Sequence, residues 1–256
     1  MRHVYACPMR WADMDLLGHV NNVAYADYLR EARLAAFADA GDSAETGSTD
    51  GTAAPILRLE LEYRTSLVFR PEPVLIETTS DGDGVLDQEI AALRDDGGRT
   101  VYLRGRTVLA PADGPLPEVA PRQGRTTEVP VLVRASDLAP GGAVDEVAML
   151  ELFQEARVAF ISTIGARHPE LPWVVGRSET TYLRPVRRRD RPYAVRSAIG
   201  RVGSSSFEVR AEIVDDDAHV LATSRAVMVG FDPVAQRSRE LSEHERTHLV
   251  PHLTTS

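Results

Sequence analysis

Two stretches of the chain carry apolar residues at helical spacing. Tyr25, Tyr28, Leu29, Ala32 and Ala36 form one stripe, and Met149, Leu152, Phe153, Ala156 and Phe160 form another. Such a stripe buries one face of a helix and leaves the other to water. Strand-like runs follow each helix, bounded by Gly, Pro and Asp: 56–66, 74–80, 85–93 and 100–109, then 173–185, 193–199, 206–214 and 220–229. A further strand is expected ahead of each helix, at about 3–11 and 128–135. Asp95-Asp96-Gly97-Gly98 and Asp215-Asp216-Asp217 read as tight turns between the last two strands of each set. One helix with about five strands predicts an α+β unit, an antiparallel sheet wrapped on a single helix.

The two sets are copies of each other. Arg10 and Arg134, Asp13 and Asp137, Gly18 and Gly142, Glu31 and Glu155, Arg33 and Arg157, and Gly41 and Gly165 share one offset (134 − 10 = 124). After a shorter loop in the second copy, the offset becomes 119 (203 − 84). It joins Gly84 to Gly203, Glu89 to Glu208, Arg106 to Arg225 and Val108 to Val227. A long self-match at fixed offset marks a tandem duplication. The expected organisation is a first domain at 1–112, a Pro/Gly-rich linker at 113–127, a second domain at 128–235 and a polar tail at 236–256. Within that tail, Ser242 followed by Glu243 and Glu245 has the form of a helix cap.

Composition narrows the chemistry. The net charge of −9 argues against sequence-independent nucleic-acid binding. All 29 basic residues are arginine, which removes lysine Schiff bases, P-loop chemistry and Ser–Lys catalysis. Cys7 is the single cysteine, so an internal disulfide or a cysteine-built metal site is excluded. No apolar run reaches the roughly 18 residues of a spanning helix, and no signal peptide is read at 1–7. The expectation is a cytoplasmic protein with no membrane partner.

The reactive residues gather at 10–22, Arg-Trp-Ala-Asp-Met-Asp-Leu-Leu-Gly-His-Val-Asn-Asn. Asn21 is placed to cap the helix, leaving the N–H groups near Asn22 and Val23 free to stabilise charge developing on an acyl oxygen. Asp15 could attack the acyl carbon or deprotonate water. The second copy supplies an internal control. Arg10, Asp13, Gly18, Glu31 and Arg33 recur in it, which points to loop geometry and local ion pairs. Asp15 instead faces Ala139, His19 faces Ala143, and Asn21 and Asn22 face Asp145 and Glu146. The second copy keeps the scaffold and lacks the reactive set. In it, Ser204 and Ser205 offer hydroxyls at a strand start, and Arg187, Arg188 and Arg189 form a cluster suited to phosphate. A metal held by Asp13, Asp15 and His19 is not expected, because no second His or carboxylate stands at a known ligand spacing.

The run Asp13-x-Asp15-x-x-Gly18-His19-Val20-Asn21-Asn22-x-x-Tyr25-x-x-Tyr28 resembles the hotdog-fold thioesterases of the 4-hydroxybenzoyl-CoA thioesterase type. It is also similar to the plant acyl-ACP thioesterases, which are double hotdogs. The resemblance implies a tandem double hotdog acting on an acyl-CoA, with Asp15, His19 and Asn21 in the catalytic set. It also implies amides at Asn22 and Val23 as the oxyanion site and Tyr25 at the substrate. Coenzyme A is then part of the substrate and no cofactor is needed. Hotdog units pair with their sites between them, so a tandem chain would pair internally, and a homodimer of the whole chain is possible. The plant enzymes carry an Asn between the Asp and the His where this chain has Leu17. Two other functions compete. A hotdog enoyl-CoA hydratase would space Asp and His five apart with Asn and Pro between, whereas Asp15 and His19 are four apart. A non-catalytic acyl-thioester sensor would suit the second copy better than the first.

Overall fold

The computed structural model describes residues 1–40, 55–94, 97–111, 117–122, 124–165 and 172–254. Gly41, Asp95, Asp96 and part of the expected linker lie outside the described residues. The chain divides into two units, Met1–Leu116 and Pro117–Ser256.

Unit 1 holds strand β1 (Arg2–Cys7), helix α1 (Ala24–Ala40), and strands β2 (Ile56–Tyr63), β3 (Val74–Thr79), β4 (Val85–Leu93) and β5 (Arg99–Leu109). The strands pair antiparallel in the order β1-β3-β4-β5-β2. Unit 2 repeats this with β6 (Thr127–Val131), α2 (Glu146–Thr163), β7 (Trp173–Tyr182), β8 (Tyr193–Val202), β9 (Ser206–Val214) and β10 (Val220–Asp232). Its order is β6-β8-β9-β10-β7, also antiparallel. Each copy is therefore one long helix with a five-stranded antiparallel sheet, as the periodicity predicts.

The first strand of each copy is shorter than expected. β1 stops at Cys7 and β6 at Val131, and each chain then enters a single 3-10 turn, Trp11–Asp13 or Ala135–Asp137. Pro8 follows β1 and has no N–H with which to extend the ladder. Pro130 sits within β6, where it is tolerated because β6 is an edge strand.

Both helical stripes are buried as expected. In unit 1 the helix lies close to the sheet at Gly105, where a Cβ would come within 2.4 Å of the Leu29 Cδ1. The two cores differ in polarity. Arg33, almost fully buried on α1, donates to Gln88 Oε1 at 3.2 Å and Thr107 Oγ1 at 3.3 Å. Gln88 in turn donates to the Leu29 carbonyl and the Thr78 hydroxyl. In unit 2 the positions of Gln88, Thr107 and Thr78 are Phe207, Ala226 and Ser197, so the Gln88 carboxamide and the Thr107 hydroxyl have no counterpart there. Arg33 thus ties α1 to the sheet through the neutral side chains of Gln88 and Thr107.

The C-terminal tail is ordered against unit 2. After the short strand β11 (Arg237–Ser238), Ser242 caps helix α3 (Glu243–Leu249). Glu245 is fully buried there and accepts from Trp173 Nε1, from Arg239 and from the Ser242 N–H.

Candidate active site

Asp13 ties the loop ahead of α1 to the helix. Its Oδ2 accepts the Arg10 N–H at 2.9 Å and the Tyr28 hydroxyl at 2.5 Å, while its carbonyl accepts the Asn21 N–H at 2.7 Å. Burial and the bond to Asp13 both push the Tyr28 phenol up, so it remains the donor. Asp137 repeats the pattern, accepting from the Arg134 N–H at 2.7 Å and, through its carbonyl, from the Asp145 N–H at 2.8 Å. A contact present in both copies is scaffold.

Asp15 opens a tight turn. Its N–H donates to the His19 carbonyl at 2.7 Å, and the Gly18 N–H returns to the Asp15 carbonyl at 3.1 Å. One carboxylate oxygen, Oδ1, accepts the N–H groups of Leu17 at 2.8 Å and His19 at 3.1 Å. Gly18 takes φ +73, a left-handed conformation in which glycine is unstrained. Two comparisons within the chain show what this turn requires. In unit 2, Ala139 makes the same backbone bonds to Ala143 and Gly142, at 2.9 and 2.8 Å, with no carboxylate at all. Conversely, Asp215 in the β9–β10 hairpin accepts from the Asp217 and His219 N–H groups just as Asp15 does from Leu17 and His19. An aspartate suits such a turn, but this turn closes without one. The half-buried Asp15 carboxylate, with Oδ1 occupied, is thus more than the fold demands.

The helix start is rigidly held. Asn21 Oδ1 accepts the Val23 N–H at 3.0 Å, and the Asn21 carbonyl accepts the Ala24 N–H at 2.9 Å. The capping role expected of Asn21 is present, but it consumes a donor assigned to the oxyanion site: the Val23 N–H is not free. Among the described residues the Asn22 N–H has no acceptor, and it is an open donor at this terminus. The Tyr63 hydroxyl donates to the Asn22 carbonyl at 2.8 Å. Sequence reasoning passed over Tyr63. The 119 offset pairs it with Tyr182, whose hydroxyl donates to the Glu146 carbonyl at 3.1 Å, so the repeat held the signal.

His19 is buried and its main chain bridges to Val68, as Ala143 bridges to Arg187 in unit 2. Tyr25, expected at the substrate, is a core residue. Its ring stands edge-on to Tyr63 with centroids 5.4 Å apart, and its hydroxyl accepts the Leu67 N–H at 3.3 Å. Burial is the main reason its phenol is pushed up, and the Asp15 charge adds to the effect, placing that carboxylate within electrostatic reach. Cys7 is buried too, and burial pushes its thiol up to about 11, so it offers no thiolate at neutral pH.

The unit 2 residues are placed as follows. Ser204 is exposed and Ser205 half-buried in the β8–β9 turn, where their carbonyls serve the tail: Ser204 accepts from Leu241 and Arg246, Ser205 from Gly230. Arg187 and Arg188 are exposed, with Arg187 Nη1 3.5 Å from the Gly141 carbonyl. Arg189 is committed to structure. It bonds the Arg191 and Pro192 carbonyls and the Asp216 carboxylate, and it lies 3.6 Å over the Tyr193 ring. Of the expected cluster, Arg187 and Arg188 are the ones presented to solvent.

Comparison with solved structures supports the fold. An acyl-ACP thioesterase from Bacteroides thetaiotaomicron matches with a TM-score of 0.60 at 15% identity, covering 89% of this chain and 97% of its own. A protein described as an oleoyl thioesterase from Lactobacillus plantarum matches with a TM-score of 0.66 at 12% identity, over 91% and 97% of the two chains. The 12:0-ACP thioesterase from Umbellularia californica matches with a TM-score of 0.61 at 11% identity, over 90% and 94%. No curated protein matches the sequence. The family model for the thioesterase-like superfamily matches residues 9–99 and again 133–248, once in each copy. With both copies matched, this tandem hotdog chain belongs to the thioesterase-like superfamily.

Proposed function

We propose that the chain hydrolyses an acyl-CoA thioester, with Asp15 as its central reactive group. The observation that carries this reading is the pair of turns at Asp15–His19 and Ala139–Ala143. They share their backbone hydrogen bonds, yet the carboxylate and the imidazole occur only in the first. Groups that folding does not need, at a helix start with an open N–H, are suited to chemistry.

As general base, Asp15 takes a proton from water while the oxygen attacks the thioester carbon. The Asn22 N–H and the positive end of α1 stabilise the resulting oxyanion. The C–S bond then breaks, and the thiolate recovers the proton from the Asp15 carboxyl. As nucleophile, Asp15 would displace the thiolate directly, giving an anhydride that water opens. Asn21 holds the Val23 N–H and so sets the helix start, and His19 closes the Asp15 turn. The exposed guanidinium groups of Arg187 and Arg188 in unit 2 are suited to phosphate, the group that coenzyme A carries at its nucleotide end. Two of the similar structures are described as acyl-ACP thioesterases, so an acyl carrier protein is the competing carrier.

The test is thiol release from a panel of acyl-CoA and acyl carrier protein thioesters by wild type, Asp15→Asn and Asp137→Asn. Asp15→Asn should lose at least about a hundred-fold in kcat while keeping its melting temperature. Asp137→Asn should lose stability more than turnover. Equal turnover in wild type and Asp15→Asn would remove Asp15 from the mechanism. Tight acyl-CoA binding without thiol release from any substrate would identify a binding protein instead.

A further inference from the structure

The sheet of unit 2 is polar on the face away from α2. Phe207, Val209, Ala211 and Ile213 of β9 share a core with Phe153 and Phe160 of α2, so the alternate residues Glu208, Arg210 and Glu212 turn to the opposite face. A cavity of about 230 Å³ opens there, lined by Arg122, Glu179, Arg210, Thr223, Ser224 and Arg225. The segment ahead of β6 is pinned beside it, because the Arg122 N–H donates to both oxygens of the buried Glu212 at 3.1 Å.

The donors of this cavity outnumber its acceptors. Glu208 is buried and takes the Nε–H of Arg210 on Oε1 and that of Arg225 on Oε2. One carboxylate thus orients two guanidinium groups while using a single N–H of each. Their terminal Nη groups have no acceptor among the described residues, and neither has the guanidinium of Arg122, whose Nε is buried. Glu179 stands opposite Arg225 in the β7–β10 ladder and has a partner of its own. Burial holds the Arg122 guanidinium below its ordinary range, Glu212 works the other way, and Arg210 adds to the lowering. A buried N–H without an acceptor costs free energy that an anion would recover.

We propose that this cavity binds a phosphoryl group, with Arg122, Arg210 and Arg225 as the groups that hold it. A phosphoryl group offers three or more acceptor oxygens around one centre, which suits guanidinium forks arriving from three segments of chain. A carboxylate offers two oxygens in one plane and pairs best with a single fork. The bound group would join the segment ahead of β6 to β9 and β10. Every residue involved belongs to unit 2, and the proposal stands whether or not Asp15 of unit 1 hydrolyses thioesters.

Titration calorimetry on the full chain tests this at constant ionic strength, with inorganic phosphate, pyrophosphate, glucose 6-phosphate and citrate as probes. Wild type should bind phosphoryl compounds more tightly than citrate, and the tightest of the three distinguishes a free phosphate, a diphosphate and a monoester as the source. Arg122→Gln keeps the backbone N–H to Glu212, so it should melt like wild type without ligand, yet bind about ten-fold or more weakly. Ligand should raise the melting temperature of wild type more than that of Arg122→Gln, a difference that cancels any general salt effect. Failure of wild type to bind any of the three phosphoryl compounds would overturn the proposal. So would equal affinity in Arg122→Gln, or citrate binding as tightly as phosphate.

Discussion

Replacing Tyr63 or Tyr182 by Phe removes the same hydrogen bond from the same place in each copy. The ring stays, so no cavity forms, and the bond from the hydroxyl to the Asn22 or Glu146 carbonyl is lost. A neutral bond of this kind contributes about 1 kcal/mol, so each variant should melt about 2–4 °C lower. Their effects on turnover should diverge. Around Asn22, the Asn21 N–H is held by Asp13, the Val23 N–H by Asn21, and the Asn22 carbonyl by Tyr63. Releasing the last of these loosens the frame of the open Asn22 N–H, and small misplacements of a catalytic donor cost up to about a hundred-fold. Tyr63→Phe should lose about ten-fold in kcat with KM little changed, whereas Tyr182→Phe should turn over like wild type. The assays are thermal unfolding and thiol release on the preferred thioester. Normal turnover by Tyr63→Phe, or an equal loss in Tyr182→Phe, would refute the assignment of the α1 start as the oxyanion site.

Gly105→Ala would set a Cβ 2.4 Å from Leu29 Cδ1, so Leu29 must move; an overpacking cost of about 1–3 kcal/mol is expected in chemical denaturation. Acid should release the tail. Burial pushes the Glu245 carboxyl up, but Arg239 and the Ser242 N–H and hydroxyl outweigh it and hold the carboxyl below its usual range. A depressed folded value means that the stabilisation is present above about pH 4.3 and is lost as pH falls through that lower value. Glu245→Gln should therefore accelerate amide exchange across 243–249 at neutral pH, and unchanged exchange would show that the charge does not hold α3.

The helices and most strands were legible because burial imposes a period on the sequence, and the duplication supplied the same pattern twice. The strand ends were not, because backbone bonding and a proline stopped β1 at Cys7 before its apolar pattern ran out. Asp15 and His19 could be separated from Asp13 by comparing copies. The Val23 N–H could not be excluded in that way. Which amide a capping carboxamide takes depends on a side-chain rotamer, and Asn21 turns toward Val23. Nor could the cluster at 187–189 be resolved residue by residue, since Arg189 folds back over Tyr193 while Arg188 stays exposed.

The turn at 139–143 bears on how such a chain can change. Its backbone bonds close without help from a side chain at the first position. Residues 15 and 139 are therefore free to vary without placing the folded state at risk. Selection on activity can act there separately from selection on foldability. After duplication, one copy could abandon the carboxylate and keep its architecture, and the path back, through Asp at 139 and His at 143, need not cross an unfolded intermediate.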